Sequence, residues 1–194
     1  MKINSKYIIG IDEVGRGAVA GPLVIGAACG IWNKKNKKLL QGIRDSKKLS
    51  PKQREEWFKK FKKMPINFYT IAISNKLIDK NGISWALKHG IAKLLKKSKT
   101  KPDLVLLDGG IYAPKQYRQK TIIKGDDKIA AISAAAIVAK VTRDQEMVQL
   151  DRDYPGYYFA MHKGYGTRQH RDALQCLGPS PIHRRSFAPV RGLQ

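Results

Sequence analysis

The sequence predicts an α/β or α+β fold that contains a mixed sheet of five strands and ends in a tail with one short helix. Five short apolar runs, each bounded by glycine, proline or polar residues, have the length and composition of strands. The first three resemble hairpin strands, whereas helical patterns separate the later ones, and this combination favours a mixed sheet over a purely parallel one. A long alanine-rich stretch, residues 128–154, contains neither glycine nor proline and gives the strongest helical signal.

The N-terminal part of the chain contains the first two strands and the first helix. The runs "YIIGIDEVG" and "GPLVIGAACGI" predict two paired strands with a turn at residues 15–17. The segment that follows, residues 33–50, is polar and turn-rich and ends at Ser50, a suitable helix N-cap. A helix is expected over "PKQREEWFKKFKKM", because Pro51 fits a first helical turn and the aromatic residues recur at helical spacing.

Strands and helices alternate through the rest of the chain. The run "INFYTIAIS" predicts the third strand, and "ISWALKHGIAKLLKKSK" carries its apolar residues along one helical face. Pro102 ends this region before the buried-strand pattern "DLVLLDGG", and "QKTIIKGDD" predicts a shorter fifth strand. The tail is expected to contain one helix, around "TRQHRDALQCL", among turns. No repeat or long linker divides the chain, so we predict a single domain over residues 1–194.

The net charge of the chain indicates the class of molecule that it binds. Its 38 Lys and Arg residues against 15 Asp and Glu give a net charge of +23, which attracts polyanions, above all nucleic acid. A membrane is the weaker alternative, because no apolar run approaches the roughly 20 residues that span a bilayer and the N-terminus lacks a secretory cleavage site. Two cysteines without CxxC spacing do not form a disulfide framework, so a reducing, cytoplasmic location is expected.

Acidic residues stand at the ends of several predicted strands. Asp12 and Glu13 end the first strand, Asp108 ends the fourth, and Asp126 follows the fifth where the long helix begins. Strand ends that meet at one edge of a sheet would deliver these carboxylates to one place. Carboxylate oxygens without accompanying Cys or His ligands favour Mg²⁺ or Mn²⁺ over Zn²⁺. In a strongly basic protein, such a cluster predicts a metal-dependent phosphodiester site.

Each acid also has a structural alternative. Asp108 in "LDGG" could be an ordinary turn residue, and Asp126 could be the N-cap of the long helix. Adjacent strand residues point to opposite faces, so one of Asp12 and Glu13 could serve packing alone. The residue pattern by itself does not choose between Asp126 and its neighbour Asp127.

Five sequence blocks occur in an order that resembles one enzyme family. They are "GIDEVGRGAVAGPLVIGA", "RDSKKLSPKQRE", "LLDGG", "KGDDKIAAISAAAIVAKVTRD" and "HKGYGTRQHRDALQCLGPSPIHRRSFAPV". Together they resemble ribonuclease HII, the type 2 ribonuclease H, over residues 7–190. The resemblance implies an α/β, ribonuclease H-like fold in which a mixed five-stranded sheet is flanked by helices and followed by a small helical C-terminal segment. It implies an endoribonuclease that hydrolyses RNA in RNA/DNA hybrids with Mg²⁺ or Mn²⁺. It also implies nicking 5′ of single ribonucleotides in duplex DNA, and roles in ribonucleotide and primer removal.

The resemblance assigns roles to individual residues. By motif, the catalytic and metal-binding acids are Asp12, Glu13, Asp108 and Asp126, which would act with two metal ions and leave 5′-phosphate and 3′-hydroxyl ends. It implies that the backbone of the "GRG" motif reads a 2′-hydroxyl together with a tyrosine of "KGYGT", and that "RDSKK" contacts phosphates. These substrate-binding residues are Gly15, Arg16, Gly17, Arg44, Ser46, Lys47, Lys48 and Tyr165. Residues 7–153 would then form the catalytic core, and residues 154–194 the substrate-contacting segment.

Two alternatives to this reading remain open. Ribonuclease HIII is disfavoured, because the chain starts just before the first strand and carries the "GRG" form. The other alternative is a nucleic-acid-binding module that has lost its chemistry, which the presence of all four acids disfavours. A monomer is expected, since no apolar stripe is left over, and the ending "VRGLQ" suggests no clamp-binding peptide, so a clamp-type partner is unknown.

Overall fold

A five-stranded sheet organises the computed structural model, which describes residues 6–43 and 48–193. Its strands are β1 (Tyr7–Val14), β2 (Leu23–Ile31), β3 (Asn67–Ile73), β4 (Leu104–Asp108) and β5 (Gln119–Ile122). They lie in the order β3-β2-β1-β4-β5. The pairs β1–β2 and β2–β3 are antiparallel, whereas β1–β4 and β4–β5 are parallel. The predicted mixed sheet is therefore confirmed.

Helices cover both faces of this sheet. They are α1 (Lys34–Leu39), α2 (Pro51–Phe61), α3 (Asn75–Asn81), α4 (Ile83–Lys97), α5 (Gly125–Lys128), α6 (Ala130–Asp153), α7 (Phe159–His162) and α8 (Arg168–Leu177). The four longer helices, α2, α4, α6 and α8, match the predicted ones, and Ser50 caps α2 in a capping box with Gln53. The polar, turn-rich segment over residues 33–50 also contains the short helix α1, which the sequence pattern did not predict. One- and two-turn helices carry too few residues for a periodic signal.

Helix α6 lies unusually close to the sheet. A Cβ atom added to Gly10 would lie 2.4 Å from the backbone carbon of Ala131, and one added to Gly26 would lie 2.4 Å from the carbonyl oxygen of Ala135. Glycine on the strands and alanine on the helix therefore remove the side chains that would hold the two layers apart. This close contact determines the distance between the start of α6 and β1.

Helix α4 packs on the opposite face of the sheet. Ile9, Ile11 and Ile25 join apolar residues of α4 in one buried cluster. A Cβ atom added to Gly90 of α4 would lie 2.3 Å from the Cδ1 atom of Ile25, so this helix also sits close to its strands. Within the described ranges, no helix is long and apolar enough to cross a membrane.

The register of the parallel strands brings two acids together. Ile11 of β1 pairs with Leu107 of β4. The next residue of each strand is an aspartate, Asp12 in β1 and Asp108 in β4, so the two carboxyl groups lie side by side at one end of the sheet.

Candidate active site

Three aspartates form a compact group at this end of the sheet. Asp12, Asp108 and Asp126 each offer a carboxylate oxygen, and these oxygens all lie within 4.8 Å of one another. Asp12 is 7% exposed and Asp126 is 4% exposed, so two of the three are buried. The residues come from β1, β4 and α5, which are far apart in the sequence. The structure therefore assembles the cluster through the fold.

The short helix α5 places Asp126 in this group. Lys124 adopts the left-handed conformation with φ of 55°, which turns the chain sharply after β5. The backbone N–H of Gly125 then donates to Oδ1 of Asp108 at 2.6 Å. Ser133 of α6 donates its hydroxyl to the carbonyl oxygen of Asp126 at 2.5 Å. Asp126 is not the N-cap of the long helix, because Ile129 occupies that position.

The two neighbouring acids of α5 have different environments. Asp127 faces solvent and lies 2.7 Å from Nζ of Lys48, whereas Asp126 is buried in the aspartate group. The hydrogen bond from Lys48, together with the charges of nearby lysines, holds the pKa of Asp127 below its ordinary value. The geometry thus places Asp126, and not Asp127, with Asp12 and Asp108.

Glu13 lies next to the group without belonging to it. Residues alternate along β1, so Asp12 is on the face covered by α6 and Glu13 is on the other face. The carboxylate of Glu13 lies 3.9 Å from the guanidinium of Arg16. It is close enough to Asp12 to raise the pKa of that residue. Glu13 therefore borders the cluster from the side of the following loop.

The electrostatics of the group fit a bound cation. Burial raises the pKa of Asp12 well above its ordinary value, and the charges of Glu13, Asp108 and Asp126 raise it further. Carboxylates crowded in this way repel one another unless a positive charge lies between them. The ligand set contains oxygen only, which suits Mg²⁺ or Mn²⁺. Asp12, Asp108 and Asp126 are thus the residues that could hold such an ion.

Divalent ions are expected to stabilise the folded protein. At a concentration one hundred times the Kd, Mg²⁺ or Mn²⁺ should add about 2.7 kcal/mol to the free energy of unfolding. This corresponds to a Tm increase of about 5–10 °C for a chain of this size. Scanning calorimetry with and without the metal measures the increase, which Asp12→Asn should remove and Asp127→Asn should retain. An equal increase in Asp12→Asn and wild type would place the metal elsewhere.

A glycine-rich loop, residues 15–22, follows β1 directly. Gly15 has φ of 86°, and a Cβ atom there would lie 2.3 Å from Nε of Arg143. Gly17 is exposed, with open space where a Cβ would be. The backbone N–H groups of Arg16 and Gly17 have no hydrogen-bond acceptor within the described part of the chain. The loop therefore presents two unsatisfied donors to solvent beside the acids.

Two buried arginines hold this loop in place. Arg143 of α6 donates from Nε to the carbonyl oxygen of Pro22 at 2.9 Å and from Nη2 to that of Ala20 at 3.2 Å. Arg184 donates to the carbonyl oxygens of Gly21 and Arg16, each at 3.1 Å. Burial lowers the pKa of Arg184 to about 9, which leaves it charged at neutral pH. The loop is thus fixed by charged hydrogen bonds to its carbonyl groups.

Tyr165 lies in a second loop, residues 163–166, that packs against the first. The carbonyl oxygen of Gly164 accepts from the N–H groups of Val19 and Ala20 at 2.9 and 3.2 Å. The guanidinium of Arg143 lies 5.4 Å from the centre of the Tyr165 ring and donates to the carbonyl oxygen of Lys163. Tyr165 is half-buried, and the structure brings its loop together with the glycine-rich loop.

The predicted phosphate-contacting segment is described only in part. Arg44, Ser46 and Lys47 lie outside the described residues. Lys48 is described and exposed, and its ion pair with Asp127 places it next to the short helix that carries Asp126. Of this segment, Lys48 is therefore the residue that the structure places beside the acidic group.

Comparison with known proteins identifies the family. A model of the family described as ribonuclease HII matches residues 9–190. The chain is 41% identical over 182 residues to the ribonuclease HII of Caldicellulosiruptor bescii, and the alignment covers 94% of this chain and 86% of the relative. This chain belongs to the ribonuclease HII family. It is accordingly a ribonuclease H, an endoribonuclease, and family membership supports hydrolysis of RNA in RNA/DNA hybrids with a divalent metal ion.

Solved structures agree with the fold of ribonuclease HII. The ribonuclease H2 of Pyrococcus horikoshii superposes with a TM-score of 0.78 at 31% identity and covers 95% of each chain. The ribonuclease HII of Archaeoglobus fulgidus, solved in complex with PCNA, gives a TM-score of 0.76 at 26% identity and covers 93% of this chain and 95% of that one. The predicted ribonuclease H-like fold is confirmed.

Sequence reasoning missed the residues that support the two loops of this ribonuclease HII. Arg143 and Arg184 look like ordinary surface cations in a chain with 38 Lys and Arg residues. Both are completely buried, and they contact carbonyl groups more than a hundred residues away. No local signal marks them, since charged residues surround Arg143 in the sequence and Arg184 is followed directly by Arg185.

Proposed function

We propose that this ribonuclease HII nicks duplex DNA on the 5′ side of a single embedded ribonucleotide, as well as cutting RNA in hybrids, and leaves 5′-phosphate and 3′-hydroxyl ends. One observation carries the proposal. Asp12 of the acidic group and the exposed N–H groups of Arg16 and Gly17 lie within one short segment. A sugar that contacts the glycine-rich loop therefore has its neighbouring phosphate next to the carboxylates.

The acids would act as the ligands of the reaction. Asp12, Asp108 and Asp126 would hold divalent ions, and Glu13 would complete the set from the side of the loop. When bound as a pair, such ions activate the attacking water and stabilise the leaving 3′ oxygen. The hydrogen bond from Gly125 to Oδ1 of Asp108 orients that carboxylate, and Ser133 fixes the turn that carries Asp126. The protein thus holds its ligands before substrate binds.

The two loops would recognise the ribonucleotide. A 2′-hydroxyl is both donor and acceptor, and only RNA carries it, so the N–H groups of Arg16 and Gly17 can select RNA at this position. Gly17 lets the backbone approach the sugar closely, since it has no side chain. The ring of Tyr165, held under Arg143 at 5.4 Å, would pack on the sugar of the DNA step that follows the ribonucleotide. Gly15, with φ of 86°, provides the turn from β1 into this loop.

Basic residues would bind the phosphates on either side. Lys48 is exposed next to α5, and Arg44, Ser46 and Lys47 belong to the same "RDSKK" motif. The net charge of +23 adds a general attraction to the nucleic-acid backbone that weakens with salt.

The proposed activity gives the enzyme a place in DNA maintenance. It would remove ribonucleotides that polymerases incorporate into DNA and the RNA of primers. We propose that it works as a monomer in the cytoplasm, consistent with the unpaired cysteines Cys29 and Cys176. The PCNA complex belongs to the archaeal relative, and we assign no clamp partner to this chain.

Cleavage of a duplex with one ribonucleotide in one DNA strand tests the proposal. The strand is labelled at its 5′ end, and product lengths are read on a sequencing gel in Mg²⁺ and in Mn²⁺. We expect one nick immediately 5′ of the ribonucleotide, with a 3′-hydroxyl at the end of the labelled fragment. An all-DNA duplex should not be cut.

The outcomes separate the enzyme from a binding module. A duplex that shifts on a native gel but stays intact in both metals would leave only nucleic-acid binding. A nick on the 3′ side of the ribonucleotide would contradict the proposed position of cleavage, and a cyclic phosphate end would contradict the proposed attack by water. Asp12→Asn serves as the inactive reference, because it removes one of the buried ligands.

A further inference from the structure

Three histidines lie behind the Tyr165 loop and have no part in the proposed chemistry. His170 and His183 are completely buried, at 0% and 1% exposure, and His162 is partly buried. The ring of His162 stacks on that of His170 with 4.3 Å between centroids. Buried imidazoles need a partner for each ring nitrogen, so their hydrogen bonds determine where their protons lie.

The contacts of His170 and His183 fix one tautomer for each. A carbonyl oxygen only accepts, so the 3.0 Å contact to the carbonyl of Tyr165 requires a proton on Nδ1 of His170. A backbone N–H only donates, so the 2.9 Å contact from Ser180 requires a bare Nδ1 on His183. The proton of His183 is then on Nε2, and it is donated to Nε2 of His170 at 3.0 Å. The chain of bonds runs from Ser180 through both rings to Tyr165.

His162 holds the same loop from the other side. Its Nε2 donates to the carbonyl oxygen of Tyr157 at 2.8 Å, so its Nδ1 accepts the 3.2 Å hydrogen bond from the N–H of Gly164. The N–H of Tyr165 donates to the carbonyl oxygen of His162 at 3.0 Å. The backbone N–H groups of Gly164 and Tyr165 are therefore both hydrogen-bonded to His162, and the carbonyl oxygen of Tyr165 is hydrogen-bonded to His170.

We propose that His170 and His183 form a neutral hydrogen-bond relay that positions Tyr165 against the glycine-rich loop, and that they are positioning residues for ribonucleotide recognition. This inference rests on the role proposed above for Tyr165. His183 also pairs with Ala20 of the glycine-rich loop as an isolated β-bridge. The relay thus joins the two loops that a ribonucleotide would contact, and it sets the distance between them.

The relay works only when its rings are neutral. Each of the three rings uses one nitrogen as a donor and the other as an acceptor, so an added proton turns an acceptor into a donor that faces an N–H group. Burial is the main reason that the pKa values of His170 and His183 fall to about 4, and that the pKa of His162 is lowered. The charged groups around the rings are Arg185, which lowers the pKa of His183, and Asp151 and Lys163, which act oppositely on His162.

The direction of the pH effect follows from these values. Unfolded histidines take up protons near pH 6.5, whereas the folded relay takes them up only near pH 4. The stability of the Tyr165 loop is therefore complete above about pH 6.5 and decreases as the pH falls toward 4. Selection of the ribonucleotide by the folded enzyme should decline only as the pH approaches 4, where the folded rings take up protons.

Two substrates measured with the same enzyme test the relay. The quantity is the ratio of kcat/KM on a duplex with one ribonucleotide to kcat/KM on an all-RNA strand paired with DNA, which does not depend on the fraction of folded enzyme. We expect His170→Leu to lower this ratio about fivefold to tenfold, the value of one lost hydrogen bond. His170→Asn, whose amide can still donate to the carbonyl of Tyr165, should restore most of it. His89→Asn, in α4, is the control and should leave the ratio unchanged.

Tyr165→Ala distinguishes the failure of this inference from the failure of the proposed function. If Tyr165→Ala leaves the ratio unchanged, the role of the tyrosine is wrong and the relay has nothing to position. If Tyr165→Ala lowers the ratio and His170→Leu does not, the relay alone is overturned. Should His170→Leu not fold, nitrogen-15 spectra of the wild type at pH 7 decide the matter. The relay requires the Nδ1–H form of His170 and the Nε2–H form of His183, and any other form contradicts it.

Discussion

Asp126→Asn is expected to abolish cleavage, whereas Asp127→Asn is expected to leave it within about fivefold of wild type. The two changes are chemically identical and lie one residue apart in α5. Asp126 is buried with Asp12 and Asp108, so its loss would remove one of the proposed metal ligands and several kcal/mol of transition-state stabilisation. This corresponds to a decrease in kcat/KM of about a thousandfold or more. Among the described residues, the side chain of Asp127 forms an ion pair with Lys48 that is exposed to solvent, so its loss should change cleavage little.

Single-turnover cleavage of the ribonucleotide-containing duplex measures both variants. Binding of the duplex by Asp126→Asn, followed in Ca²⁺ or without metal, shows that the protein still folds and recognises nucleic acid. Equal loss of activity in the two variants would mean that cleavage needs both aspartates of α5. Loss in Asp127→Asn alone would mean that Asp127, and not Asp126, is the fourth acid.

Gly10→Ala is expected to be the most destabilising single-methyl change in the sheet. The added Cβ would lie 2.4 Å from the backbone of Ala131, and helix backbone cannot move aside as a flexible side chain can. Overpacking of this kind costs about 1–3 kcal/mol and more where backbone must shift, so a loss of about 3 kcal/mol is expected. The Tm should fall by about 6–12 °C. Chemical denaturation gives the change in the free energy of unfolding.

Gly110→Ala provides the matched control for this prediction. A Cβ atom added at Gly110 would have no atom within 4 Å, so the free energy of unfolding of this variant should stay within about 0.5 kcal/mol of wild type. The beginning of α6 lies a few residues after Asp126, so the shift forced by Gly10→Ala should also weaken metal binding. If Gly10→Ala has the same Tm as wild type, α6 does not lie this close to β1.

The strands and the long helices were predictable because their signals are local. The apolar runs of β1 and β4 end at Asp12 and Asp108, and parallel pairing places residues at the ends of neighbouring strands together. Period and composition therefore predict both the sheet and two members of the acidic group.

The choice between Asp126 and Asp127 was not predictable from the residue pattern. Both acids stand before the long helix, and either could face the cluster. The left-handed turn at Lys124 and the hydrogen bond from Gly125 to Asp108 determine which of them is buried. These are contacts across the fold that leave no periodic trace in the sequence, and only the family resemblance favoured Asp126.

The side chains that support the glycine-rich loop and the Tyr165 loop were unpredictable for the same reason. The donors of Arg143 bind carbonyl oxygens of residues 20, 22 and 163, and any residue type supplies a carbonyl. The histidines lack metal-ligand spacing, which argued against zinc but said nothing about a hydrogen-bond chain. Backbone acceptors carry no sequence signature, so side chains that bind them are visible only in a structure.

The contacts of Arg184 also make the glycine-rich loop depend on a residue that is synthesised well after it. The acids at positions 12, 108 and 126 leave the ribosome well before Arg184, whose guanidinium binds the carbonyl oxygens of Arg16 and Gly21. A nascent chain therefore contains the three aspartates and Arg143 before the second arginine that holds the glycine-rich loop has been made. A chain that ended before residue 184 would keep the hydrogen bonds of Arg143 to this loop and lose those of Arg184 to Arg16 and Gly21.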